Sequence, residues 1–98
     1  MVEFEWNDAK SQPNQRKHGV SFVEAATVLQ DEFARVMPEP DHLIDEQRYL
    51  LLDVSSMMRL LVVSHCESAV NSIRIISARK ASLRELKQYE GFVHARKL

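Results

Sequence analysis

The N-terminal part of the chain alternates apolar and acidic side chains and then changes to a helical pattern. Val2–Trp6 has the period of two that predicts a β-strand. Asn7 can cap a helix that runs toward His18, and Gly19 suits its end because glycine readily adopts a left-handed backbone. Pro13 interrupts this stretch, so the helix either kinks there or begins near it, with proline in its first turn.

A second helix is predicted from the capping box Ser21-Phe-Val-Glu24, in which serine and glutamate each satisfy an exposed backbone donor. Apolar residues follow at helical spacing and form one stripe: Phe22, Ala25, Ala26 and Leu29. Pro38 and Pro40 then break the chain into an extended, acidic connection.

The remaining pattern predicts a sheet followed by a helix. Three segments rich in Leu, Val and Ile are separated by short polar stretches, as in an antiparallel meander: Arg48–Val54, Arg59–His65 and Ser72–Ala78. A second capping box, Ser82-Leu-Arg-Glu85, opens a final helix whose apolar side holds Leu83, Leu86, Tyr89 and Val93. We therefore expect one α+β domain over residues 1–98: an N-terminal strand, two helices, an antiparallel sheet and a C-terminal helix.

Charge is distributed unevenly, although the net charge is only −1. Residues 31–53 carry seven acids and two bases, whereas residues 71–98 carry seven bases and two acids. Such asymmetry either marks a polyanion-binding region beside a region that contacts a basic partner, or the two segments neutralise each other within the fold.

The composition narrows the class of protein. The longest apolar run, Leu60–Val63, is far shorter than the roughly 20 residues of a membrane span. The acidic N-terminus lacks the apolar segment of a secretory signal, and Cys66 is the single cysteine, so we expect a cytoplasmic protein without disulfides. The four histidines show no ligand-like spacing, and we expect neither a metal site nor a cofactor.

Two cationic segments lie at the ends of predicted elements. Lys17 and His18 end the first helix, where the helix dipole favours positive charge; they either serve a binding or catalytic site or cap the last carbonyls. On a regular strand, Arg74 and Ala78 share one face, and Arg79 with Lys80 follows at the junction with the last helix. An arginine there either holds a phosphate or forms a surface salt bridge, for which Glu46 and Glu90 are candidate partners.

A third candidate precedes the first strand of the meander. Glu46 and Arg48 lie two residues apart, on the same side if the strand begins early. Glu46 is then either a general base or the partner that orients Arg48.

Several of these segments taken together resemble the BrnT family of toxins, which has a RelE-like fold. The similarity runs from about Phe4 to Tyr89, and its most specific blocks are Lys17-His-Gly-Val-Ser-Phe22 and Arg74-Ile-Ile-Ser-Ala-Arg79. The resemblance implies an endoribonuclease toxin of a type II toxin–antitoxin system that cleaves RNA without a metal and stops translation. It also implies a BrnA-like antitoxin with a ribbon–helix–helix portion, joined to the toxin as two copies of each, with operator DNA contacted only through the antitoxin.

The resemblance also suggests roles for individual residues. Lys17 and His18 are candidates for proton transfer or charge stabilisation, Arg79 and Arg48 for holding the phosphate, and Glu46 for the general base. Further residues are expected to bind RNA: Arg74, Lys80 and Arg84. The alternative function is a non-catalytic interaction subunit of a transcription-repressor complex. A DNA-binding regulator is disfavoured, because no helix is strongly basic along one face.

Overall fold

The computed structural model describes residues 2–30, 35–38 and 48–96. In chain order the elements are β1 (Glu3–Glu5), α1 (Asp8–His18), α2 (Phe22–Val28), β2 (Arg35–Pro38), β3 (Tyr49–Val54), β4 (Leu60–Ala69), β5 (Ser72–Lys80) and α3 (Leu83–Arg96). The predicted α+β class is confirmed. No helix among these residues is long and apolar enough to cross a membrane.

The five strands form one mixed sheet in the order β1-β5-β4-β3-β2. The predicted meander of β3, β4 and β5 is confirmed as antiparallel. The N-terminal strand β1 joins the same sheet by pairing with β5 in parallel, which makes the sheet mixed. Two helices follow β1, so no tight turn forces it to run against its neighbour. Strand β2 was not predicted; it pairs with β3 at the sheet edge, where the missing N–H of Pro38 is tolerated.

Helices α1 and α2 cover one face of the sheet. The apolar stripe predicted for α2 is confirmed, since Phe22 and its neighbours are buried against residues of three strands. This core consists of Val20, Phe22, Ala25, Ala26, Val28, Leu51, Leu61, Val63, Ile75 and Ala78. Trp6 adds an edge-to-face contact with Phe22, with ring centroids 6.3 Å apart.

Buried Asn14 fixes α1 to β5. Its Nδ2 group donates to the carbonyl oxygens of Val20 at 3.0 Å and Ala78 at 2.9 Å, and its Oδ1 accepts from the Ala78 N–H at 3.2 Å. The cap at Asn7 is confirmed, and α1 continues through Pro13, so the alternative that it begins near this proline is wrong. The C-terminal end of α1 therefore lies beside the end of β5.

A β-bulge changes which side chains of β5 share a face. Ser77 pairs with Ser64 and Ile75 pairs with His65, so Ile76 is an extra residue in the ladder. As a result Ile75 and Ala78 both enter the core, while Arg74 is exposed. The prediction that Arg74 and Ala78 share a face is wrong for this reason.

Helix α3 begins as predicted, but its first turn is exposed. The Ser82 N–H donates to Oε1 of Glu85 at 2.8 Å, and the Glu85 N–H donates to Oγ of Ser82 at 3.2 Å, which confirms both halves of the capping box. Leu83 is 78% exposed, so the predicted apolar side does not pack in this turn, and the Val93 side chain lies outside the described residues. Tyr89 joins α3 to β3 by donating to Oδ1 of Asp53 at 2.8 Å.

Candidate functional site

Most of the candidate cations gather at one end of the sheet. We call it the Lys80 end; there β3 ends at Val54 and β5 ends at Lys80, while β4 begins at Leu60. The opposite end, where β5 begins and Arg74 lies beside β1, is called the Arg74 end. The two ends differ in how firmly their charged side chains are held.

The end of α1 reaches the Lys80 end of the sheet. Gly19 has a φ of +70°, and its carbonyl oxygen accepts a hydrogen bond from Nη2 of Arg59 at 2.9 Å. A Cβ placed on Gly19 would lie 3.8 Å from Nζ of Lys80. Lys17 is exposed and His18 is half-buried in the last turn before this glycine. The fold thus brings Lys17, His18 and Lys80, three of the predicted site residues, to one corner.

An ion pair between buried Glu24 and partly exposed Arg59 supports this corner. Glu24 is only 4% exposed; its Oε2 accepts from Oγ of Ser55 at 2.7 Å and from Nε of Arg59 at 2.9 Å, while Oε1 accepts from Nη2 of Arg59. The hydrogen bond from Arg59 lowers the pKa of Glu24, although burial acts in the opposite direction. The same hydrogen bond raises the pKa of Arg59.

This pair corrects the predicted capping box of α2 and adds Arg59 to the residues of the corner. Ser21 caps α2 by accepting from the Glu24 N–H at 3.1 Å, but the Glu24 carboxylate binds Arg59 and Ser55, so only half of that capping box is correct. Arg59 was not among the candidate residues predicted from the sequence. A signal was present, because a glutamate among buried helix positions requires a cationic partner.

Arg79 lies on the other face of the sheet from Lys80 and contacts α3. Its Nη1 donates to Oε1 of Glu85 at 2.7 Å, and its Nη2 donates to Oε2 at 2.9 Å. The Arg79 guanidinium, followed by a hydrogen bond from Ser82, lowers the pKa of the Glu85 carboxyl group to about 2 against the opposing effect of burial. Arg79 therefore has an acidic partner, which is Glu85 rather than either of the two candidates named from the sequence.

The other predicted site residues are more scattered. Arg48 directly precedes β3 and so lies toward the Arg74 end. The residue of β3 that is level with Arg79 across the sheet is Leu52, since both pair with Val62 of β4. Arg48 lies four residues before Leu52. At about 3.3 Å per strand residue, this offset is roughly 13 Å along the strand. Arg48 and Arg79 therefore do not form one close pair of phosphate contacts.

The last three predicted residues lie apart from this corner or outside the described residues. Arg74 is bound to Glu5 at 3.5 Å, Arg84 is exposed on α3, and Glu46 lies outside the described residues.

The residues considered for other chemistry are buried or dispersed. Cys66 is buried in the middle of β4. Burial lowers the pKa of His65, which lies beside Tyr49. Within the described part of the chain, no group of three or more His, Cys, Asp or Glu side chains is arranged to hold a metal.

The arrangement suits an anionic ligand at the Lys80 end. Exposed or half-exposed cations approach this end from both faces of the sheet: Lys17, Lys80, Arg79 and Arg84. A carboxylate fixes the position of two of the arginines there, Arg59 and Arg79. Fixed guanidinium groups of this kind, with ammonium groups nearby, bind phosphate and stabilise charge that develops on it.

Comparison with known proteins identifies the family and the fold. The family model described as the ribonuclease toxin BrnT of a type II toxin–antitoxin system matches residues 6–85. The fold is similar to the crystal structure of the Brucella abortus ribonuclease toxin BrnT, with a TM-score of 0.66 and 24% identity over 84% of this chain and 99% of that chain. No curated protein matches the sequence. Since the family model covers most of the chain, the protein belongs to the BrnT family of ribonuclease toxins of type II toxin–antitoxin systems.

Proposed function

We propose that this chain is a metal-independent endoribonuclease that cleaves cytoplasmic RNA, stops translation and is neutralised by a DNA-binding antitoxin. The observation that carries the proposal is the collection of cations from α1, β5 and α3 at the Lys80 end of the sheet, inside the region that matches the family. An RNA phosphate is the anion that such a toxin must bind, and cations aimed at it stabilise the transition state of cleavage.

The proposed reaction uses the ribose 2′-hydroxyl of the RNA as nucleophile. Its oxygen attacks the adjacent phosphorus, a proton leaves that hydroxyl, and the 5′-oxygen of the next nucleotide departs with a proton from the enzyme. Arg79 holds the phosphate and stabilises its added negative charge. Lys17 and His18, at the end of α1, transfer protons or stabilise charge, while Glu46 remains a weaker candidate for the base.

The same proposal assigns RNA binding to four further cations. Lys80 and Arg84 lie near the Lys80 end, and Arg74 and Arg48 lie toward the other end of the same sheet. Contacts of lysine and arginine with successive phosphates make binding strongly dependent on salt. We therefore expect RNA affinity to fall steeply as the salt concentration rises.

Expression and cleavage assays test the enzymatic part. The chain expressed alone in a bacterium is expected to arrest growth and shorten cellular RNA. The purified protein should cut RNA at the same rate in excess chelator, because side chains supply the positive charge. Normal growth with intact RNA at confirmed soluble expression would contradict the proposal, and activity restored by one divalent ion would contradict metal independence.

The proposed partner is a BrnA-like antitoxin with a ribbon–helix–helix portion. Such portions dimerise through a shared strand pair, so the expected complex holds two toxins and two antitoxins and contacts operator DNA through the antitoxin. The acidic segment 31–53 of the toxin suits a basic partner. Co-purification with the product of the neighbouring gene, mass determination and loss of cleavage at equimolar antitoxin test this; a complex that still cuts RNA at full rate would contradict it.

A further inference from the structure

The Arg79–Glu85 pair joins the end of β5 to the first turn of α3. The two terminal nitrogens of the guanidinium donate to different oxygens of Glu85, at 2.7 and 2.9 Å. Oε1 of Glu85 also accepts from the Ser82 N–H at 2.8 Å. The guanidinium is thus fixed by a carboxylate that is itself fixed to the start of a helix.

This end-on pairing leaves a second edge of the guanidinium open. Nη1 directs another N–H to the Lys80 carbonyl oxygen at 3.4 Å. Within the described residues, Nε and the outer N–H of Nη2 have no acceptor, and these two groups lie along one edge. Two parallel N–H groups of arginine match two oxygens of a phosphate. The Arg79 side chain is 42% exposed, so a ligand can reach it from solvent.

We propose that Glu85 is a positioning residue, which holds Arg79 so that its Nε–Nη2 edge meets the phosphate at which RNA is cut. This inference rests on the proposed RNA cleavage and assigns a role to a residue outside the site predicted from the sequence. The opposite role is competition, in which the carboxylate occupies the guanidinium and RNA must displace it. The open edge favours positioning, because phosphate and carboxylate can bind the guanidinium together.

Glu85→Gln separates the two roles. Glutamine has nearly the same shape as glutamate, and its side-chain oxygen can still accept a hydrogen bond from the Ser82 N–H. Capping boxes use either residue at this position, so we expect the fold to be kept. The variant loses the charge and one of the two strong acceptors for Arg79. We expect kcat to fall about tenfold with KM changed by less than about threefold, because misplacing a group that acts in the transition state affects kcat first.

The control is Ser82→Ala, which removes the hydroxyl half of the capping box and leaves the Arg79–Glu85 pair in place. We expect its kcat to stay within about twofold of wild type, since the cap stabilises the helix rather than the transition state. A loss equal to that of Glu85→Gln would show that the start of the helix matters and not the carboxylate, and would overturn the inference.

The double variant Arg79→Ala/Glu85→Gln gives the sharpest result. If Glu85 acts through Arg79, the double variant should be no slower than Arg79→Ala, because no guanidinium remains to be positioned. A purely structural Glu85 would instead multiply the two losses. An unchanged or raised kcat for Glu85→Gln, or multiplied losses, would overturn the positioning role alone. A wild-type protein that does not cut RNA would overturn the proposed function and this role with it.

Discussion

Both ends of the sheet carry arginine–glutamate pairs, but the pairs are built differently. At the Lys80 end, buried Glu24 accepts hydrogen bonds from Arg59 and Ser55, and this network also reaches the carbonyl group that ends α1. At the Arg74 end, Arg74 and Glu5 lie 3.5 Å apart on neighbouring strands, with about half of each side chain exposed. An exposed pair of this kind holds neither partner firmly.

The difference indicates where catalysis can be organised. Transition-state stabilisation requires charges that are already in place before the substrate arrives. The Lys80 end supplies such charges through carboxylates that hold Arg59 and Arg79, whereas the Arg74–Glu5 pair at the other end is exposed to solvent. We therefore expect the first end to determine rate and the second to contribute mainly to RNA affinity.

The largest expected effect tests this division with two arginines of the same strand. Arg79→Ala should lower the rate of RNA cleavage about a hundredfold, which is roughly 3 kcal/mol of transition-state stabilisation. Arg74→Ala should change the rate by less than about threefold. It should also lower the magnitude of the slope of log RNA affinity against log salt concentration by about one, as expected for the loss of one phosphate contact. Single-turnover cleavage and binding titrations measure both. Equal losses in the two variants would remove the distinction between the ends.

The second-largest expected effect is the loss of stability when the glutamate of each pair is removed. Glu24→Ala removes an acceptor that buried Ser55 shares with partly exposed Arg59, and should lower the free energy of unfolding by about 2 kcal/mol. In a domain of this size that corresponds to a fall in melting temperature of roughly 10 °C. Glu5→Ala is the matched change at the Arg74 end and should lower the free energy of unfolding by no more than about 0.5 kcal/mol. Thermal unfolding checks both, and a large loss for Glu5→Ala would show that its pair is not weak.

Backbone conformation gives a smaller effect at each end. Gly19 and Asn71 have positive φ values of 70° and 61°, at the end of α1 and in the turn between β4 and β5. Gly19→Ala should lower the free energy of unfolding by about 1 kcal/mol, because a positive φ is unfavourable for alanine. The added Cβ itself has room, since its nearest neighbour would lie 3.8 Å away. Asn71→Gly should change stability by less than about 0.5 kcal/mol, since asparagine already tolerates the region. Denaturant unfolding of both variants measures this, and a neutral Gly19→Ala would contradict the expected strain.

Acid sensitivity gives the last test. The folded-state pKa of Glu85 is about 2, against an ordinary value of 4.5, because Arg79 stabilises the carboxylate. The resulting stabilisation is fully present above pH 4.5 and is lost as the pH falls toward 2. The melting temperature of Glu85→Gln should therefore fall less than that of the wild type between pH 5 and pH 2.5. Parallel curves for the two proteins would show that this pair contributes little to acid stability.

Local signals in the sequence predicted much of the fold and the place of Lys17 and His18 at the end of α1. The caps at Asn7, Ser21 and Ser82 and the helix end at Gly19 depend only on residues within one helical turn, so they can be read directly. The end of α1 was therefore assigned correctly, and Lys17 with His18 lies where the sequence predicts.

Tertiary structure decided what depends on distant partners. The parallel pairing of β1, the extra strand β2 and the bulge at Ile76 follow from how strands align across the sheet, and no local pattern encodes that alignment. The partners of Arg59 and Arg79 were decided in the same way. Several acids in the chain could neutralise each arginine, and only the packing of α2 and α3 against the strands brings Glu24 and Glu85 within hydrogen-bonding distance.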